Sequence, residues 1–271
     1  MDVFRQSGKL QENKVPDYEV RLGLEPAEVL TPSIELKADV LSTLNLQPIP
    51  IQINVGFLDT PTKELSRADW SVRARRVHGE DTLELTYKRR YGIKNGNIDY
   101  ALTHASTHGF NNELTGDGRE FKAQVEWGYE KKTLSMTSKK KLDGFVVDDL
   151  EFPPPDNLRN LSSKEAPDMF KNWIIKGWGT HALERSIVYG PTVVDRYSGS
   201  WEGKQLDLEV WPFVNSSNSK TDYIVEVSFK TNNRASASSK QKKLMDELKS
   251  KGWLVDEDVS KTEAILEVYG F

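Results

Sequence analysis

Asp17-Tyr18-Glu19-Val20-Arg21-Leu22 alternates charged and apolar residues without a break. Successive side chains of a strand point to opposite faces, so Asp17, Glu19 and Arg21 share one face, and Tyr18, Val20 and Leu22 the other. The same reading runs outward to strands over 51–57, 70–77, 82–88, 121–129, 181–189, 205–211 and 223–230, with a weaker ninth over 133–137. Their polar faces carry Arg73 and Arg75, then Glu84, Thr86 and Lys88, then Lys122, Gln124 and Glu126. Asp207 and Glu209 follow, and Glu226, Ser228 and Lys230 close the series. Two arrangements satisfy this pattern: an antiparallel sheet wetted on its charged side, or a barrel with that side turned inward. Periodicity does not separate them. A lumen holding charges of both signs would be too costly to leave dry and unpaired. It would suit a polyanion with divalent cations, carboxylates taking the metal and Arg and Lys the phosphates.

Helical patterns are fewer. Residues 33–44 follow Thr31-Pro32, a cap and a first-turn proline. Residues 167–178 carry Met169, Trp173 and Ile174 at helical spacing, and 238–251 place Leu244 and Leu248 on one face before Gly252. Long loops are expected near 92–118 and 150–166, the second holding Pro153-Pro154-Pro155. The chain therefore reads as β-rich α+β, with a flexible tail over 1–14 and a single domain over 15–271.

Composition narrows the function classes. The 271 residues include 37 Lys+Arg and 41 Asp+Glu, for a net charge of −4, and no cysteine. That excludes disulfides, thiolate metal sites and a cysteine nucleophile. A net basic face for broad nucleic-acid binding is not evident. No apolar run nears the roughly 20 residues that span a bilayer, and 1–14 lacks the apolar region of a secretory signal. The expectation is a soluble cytoplasmic protein acting on a small molecule, with neither nucleic acid nor membrane as partner. His104 and His108 stand four apart, but lack the glutamate of a zinc hydrolase helix, and read as a surface loop. Lys139–Lys141, with Lys131 and Lys132, reads as a solvated strand edge.

The ordered motifs resemble the triphosphate tunnel metalloenzymes, or CYTH domains. Asp17-Tyr-Glu19-Val-Arg21 resembles the family's E-x-E-x-K strand. Phe57-Leu58-Asp59-Thr60-Pro61, leading to Trp70-Ser-Val-Arg73-Ala-Arg75, resembles Y-[FY]-D-T-P followed by L-R-x-R. Thr86-Tyr-Lys88 matches T-x-K, and Lys122-Ala-Gln124-Val-Glu126 stands in place of R-x-E-x-E. Glu184-Arg185-Ser186, Leu206-Asp207-Leu208-Glu209 and Val225-Glu226-Val227-Ser228 match the later K-R, acidic and E-x-E strands more loosely. The resemblance covers residues 17–91, 119–130 and 181–254, and is nearest to the thiamine-triphosphatase-like branch.

It implies an eight-stranded antiparallel tunnel barrel with its charged faces inward and a few peripheral helices. The implied chemistry is Mg²⁺- or Mn²⁺-dependent hydrolysis of inorganic triphosphate, thiamine triphosphate or a nucleoside triphosphate. Arg73, Arg75, Lys88 and Arg185 would hold phosphates, and Asp17, Glu19, Asp207, Glu209 and Glu226 the metal. Glu19, Arg21, Lys88 and Glu126 would be catalytic, with Asp207, Glu209 or Glu126 orienting water. Arg21, Gln124 and Ser228 depart from the family pattern. The alternatives are cyclisation of ATP, chemistry on an organic diphosphate, or binding of a phosphorylated ligand without turnover.

Overall fold

The computed structural model describes residues 13–111, 117–214 and 221–269. The expected tail over 1–14 therefore falls almost wholly outside the described residues. Nine strands form one closed barrel: β1 (Asp17–Leu24), β2 (Ile51–Asp59), β3 (Trp70–Val77), β4 (Leu83–Gly92), β5 (Lys122–Trp127), β6 (Lys132–Leu142), β7 (Ile187–Trp201), β8 (Lys204–Val214) and β9 (Thr221–Thr231). Around the ring they run β1-β5-β6-β4-β3-β2-β7-β8-β9. The expected eight antiparallel strands are thus nine, and parity explains the rest. Up-and-down alternation around a ring needs an even number, so nine strands force one parallel neighbour. That neighbour is β1 beside β5, with Glu19 opposite Glu126, while every other pair is antiparallel.

The strand over 181–189 is also corrected. His181 lies on a helix, and β7 begins only at Ile187. Trp178, Ala182 and Leu183 are all buried, which is helical spacing rather than alternation. The nine α-helices among the described residues are α1 (Pro26–Val29), α2 (Ala38–Thr43), α3 (Glu64–Arg67), α4 (Ile98–Thr107), α5 (Pro155–Lys164), α6 (Asp168–Lys171), α7 (Trp178–Glu184), α8 (Arg234–Ser250) and α9 (Lys261–Val268). Both expected long loops contain helices. In α4 the side chain of Asn97 accepts the Tyr100 N–H as a cap, and Ile98, Ala101, Leu102 and Ala105 form the buried stripe. His104 lies on this helix and His108 at its end, where the imidazole meets the Tyr91 hydroxyl at 3.1 Å. In α5 a proline occupies the first turn. No described helix is long and apolar enough to cross a membrane.

The main apolar core lies outside the barrel. Val20, Leu22, Val72, Leu85, Tyr87, Val125, Leu134, Leu208, Val227 and Phe229 turn their side chains outward, where Val40 of α2, Leu158 of α5 and Leu244 and Leu248 of α8 join them. Burying these faces beneath a helical coat provides the principal hydrophobic stabilisation and leaves the opposite strand faces to line a lumen.

Candidate active site in the barrel tunnel

The lumen is a cavity of about 380 Å³, within the size range of small-ligand sites. Strand parity delivers its lining: Glu19 and Arg21 from β1, Arg73 and Arg75 from β3, Lys88 and Arg90 from β4, Gln124 and Glu126 from β5, Glu209 from β8, and Glu226 and Ser228 from β9. One wall differs. Ile53, Val55 and Phe57 of β2 face inward, and together with Trp211 they pack against Ile265 and Leu266 of α9.

Two buried carboxylates each gather three cations. Glu84 is met by Arg75 at 3.1 Å, Lys139 at 3.3 Å and Arg73 at 3.4 Å. Glu126 is met by Lys88 at 2.5 Å, Arg21 at 2.8 Å and Arg90 at 3.8 Å. Burial works against the charge on Glu126, but Lys88, Arg21 and Arg90 outweigh it and hold the carboxyl well below the usual range. Burial also pulls Lys88 down to about 8, against the raising effect of Glu126. The Nε atoms of Arg21, Arg73 and Arg75 are buried with no hydrogen-bond partner among the described residues. Each triplet therefore has more positive charge than its carboxylate neutralises, and donors left over. Such groups are costly to bury unless something accepts from them.

The acid pair is arranged differently. Lys261, the first residue of α9, reaches Glu209 at 2.7 Å and Glu226 at 2.8 Å. Glu209 also accepts from Arg196 at 2.6 and 3.0 Å and from the Trp211 indole at 2.9 Å. Burial opposes ionisation of Glu209, yet Lys261 and Arg196 hold its pKa far below the ordinary value. Glu19 meets Lys230 at 3.5 Å.

Of the residues expected from sequence, the tunnel gathers Glu19, Arg21, Arg73, Arg75, Lys88, Glu126, Glu209 and Glu226. It does not gather Asp17, Asp207 or Arg185. Asp17 has inward parity but opens β1 at an exposed end. Asp207 accepts from Ser198 at 2.7 Å outside the lining. Arg185 ends α7 and pairs with Glu64 at 2.8 Å on the surface. Arg90, Lys139, Arg196 and Lys261 join the site without having been expected there. The first two extend the parity of Lys88 and Thr137 by one step, so alternation already contained them. Asp59, within the Phe57–Pro61 motif, is a helix cap: its carboxylate accepts the N–H groups of Thr60, Leu65 and Ser66 at 2.7 to 2.9 Å.

Comparison with solved structures settles the fold. A Hippeastrum protein, proposed as an adenylyl cyclase and described with a dominant triphosphatase activity, aligns over 92 % of this chain and 94 % of its own, with a TM-score of 0.57 and 14 % identity. The fold is the CYTH-like tunnel barrel. Lesser likenesses, each at 14 % identity over 92 % of this chain, are to a proposed adenylate cyclase of Bacillus halodurans (TM-score 0.48, 95 % of that chain) and a Pyrococcus horikoshii protein (TM-score 0.46, 99 % of that chain). No family model and no curated protein matches the sequence.

The resemblance also implies Mg²⁺ or Mn²⁺, which need carboxylate oxygens with free lone pairs. The donor set does not fit such an ion as it stands. Asp17 and Asp207 are outside the lining, and Glu209 and Glu226 already share an ammonium. Among the described residues no group of three or more acidic or histidine side chains could hold a metal.

Proposed function

We propose that the tunnel binds a triphosphate-bearing small molecule and hydrolyses it. The observation that carries this reading is the pair of over-charged triplets, Arg73, Arg75 and Lys139 about Glu84, and Arg21, Lys88 and Arg90 about Glu126. A chain of phosphoryl groups supplies the missing negative charge, and its oxygens accept from the spare guanidinium donors in the bidentate geometry arginine favours. Phosphoryl transfer asks the protein chiefly for positioning and charge neutralisation, which these six cations provide. Glu126 acts here as a positioning residue, because a carboxylate engaged by three cations is a poor base. The triphosphatase activity of the Hippeastrum protein of the same fold supports the reading.

A second reading, a binder without turnover, has its own support: Glu126, Glu209 and Glu226 are all engaged by cations, leaving none of them free to activate water. The deciding assay measures orthophosphate and pyrophosphate release from tripolyphosphate, thiamine triphosphate, ATP and an organic diphosphate, with Mg²⁺, Mn²⁺ or chelator. Orthophosphate release lost in Lys88→Met is the expected result. Pyrophosphate release from ATP would mean cyclisation, and tight binding without release would mean a binder.

A further inference from the structure

The acid pair of the tunnel already has a cation, and it comes from the chain itself. Lys261 opens α9, where the helix dipole and unpaired N–H groups make a poor place for an ammonium. Its position is nevertheless fixed on three sides. Ile265 and Leu266 bury against the apolar wall of β2 and Trp211. The preceding segment is tied to the barrel by Val255, which donates to the Gly23 carbonyl at 3.0 Å. Asp258 accepts the backbone N–H groups of Glu130 and Lys131 at 3.1 and 2.7 Å. Two glycines make room for this segment: a Cβ at Gly128 would stand 1.9 Å from Asp258 Oδ1, and one at Gly23 would stand 2.9 Å from Val259. The lysine so delivered bridges Glu209 and Glu226 and lies 4.8 Å from the centre of the Trp211 ring, which adds a cation–π attraction.

We propose that Lys261 is the resident cation of this acid pair, occupying the place a divalent ion would need, so that the substrate-free protein binds no Mg²⁺ or Mn²⁺ between Glu209 and Glu226. Two carboxylates within reach of one ammonium nitrogen are also within reach of one metal ion, and the two cations exclude each other. Removing the lysine charge while keeping its stem frees Glu226 Oε1 and the ammonium side of Glu209 Oε2 for a hard divalent ion, while Arg196 stays on Glu209 Oε1 and the Trp211 indole on Oε2. This inference does not depend on whether the tunnel turns over its ligand.

The test is a substrate-free Mn²⁺ titration near pH 7, read by loss of the free-ion electron paramagnetic resonance signal. Wild type is expected to bind no Mn²⁺ in the tunnel. Lys261→Met should gain about one equivalent, and adding Glu226→Gln should weaken that binding at least tenfold. One equivalent bound by wild type and weakened tenfold by Glu209→Gln would overturn the proposal. A well-folded Lys261→Met that gains no Mn²⁺ would overturn it too. Should that variant not fold, Lys261→Gln takes its place, and the wild-type titration decides its half of the claim unaided. Tripolyphosphate binding by wild type is measured separately, so failure of the proposed function and failure of the resident cation give different results.

Discussion

Glu126 shows most directly how this tunnel handles charge. It is almost fully buried, and one carboxylate serves Lys88, Arg21 and Arg90. Glu126→Gln should therefore destabilise the ligand-free protein by about 3–5 kcal/mol, the range for stranding buried charges. Saturating tripolyphosphate should restore much of that loss, because its oxygens replace the carboxylate. Thermal melts with and without the anion check this, and equal melting temperatures for variant and wild type without ligand would contradict it. Lys88 gives the pH dependence. With its pKa near 8, it is cationic below that pH and neutral above, so tripolyphosphate affinity should fall as pH rises from 7 to 9. In Lys88→Met that slope should flatten. At this scale the sequence was informative about charge type and face. It was silent about Lys261, whose place depends on a helix folding back over the barrel.

Elements carry the next level. Glu64–Arg67 is a single helical turn that would not hold alone; Asp59 holds it through the backbone N–H groups of Leu65 and Ser66. Asp59→Ala should cost up to about 2 kcal/mol, the upper end for loss of a cap, visible as a lower denaturant midpoint with unchanged tripolyphosphate affinity. Affinity falling with stability would instead give Asp59 a part in binding. Most strands were legible because they pair a buried outer face with a polar inner one; β2, whose inner face is apolar, is the exception. Helix α4 was legible in principle, since Ile98, Ala101, Leu102 and Ala105 keep helical spacing, but the surrounding Gly, Asn and Thr residues disguised it. β6 read weakly because Ser138–Lys141 is polar on both faces, and that is where Lys139 turns into the tunnel. His181–Glu184 reads polar, apolar, apolar, polar, which is the pattern of a helical turn and not of a strand.

Over the whole molecule the chain is acidic, at −4, yet the tunnel lining has ten cations against eight carboxylates. The stability of this arrangement must respond to acid. In Glu84, Glu126 and Glu209 burial favours the neutral acid, but neighbouring cations win and set each pKa below its ordinary value. Groups depressed in the folded state contribute stability that is complete above their unfolded pKa, about 4.3, and lost as pH falls towards the folded values. Melting temperature should drop steeply between pH 5 and 3; a flat profile there would contradict the paired-carboxylate account. The barrel followed from alternation plus ordered motifs. Alternation offered all nine strands, the ninth weakly over 133–137; the count of eight came from the resemblance, and the parallel seam of β5 with β1 follows only from closing an odd ring.

Whether the two cation triplets await one polyphosphate is read by calorimetric titration of tripolyphosphate into wild type, Arg75→Met and Arg185→Met. Wild type should show saturable one-to-one binding, at least tenfold weaker in Arg75→Met and unchanged in Arg185→Met, whose side chain lies outside the tunnel. Absence of binding by wild type, or equal affinity in Arg75→Met, would contradict the polyphosphate reading.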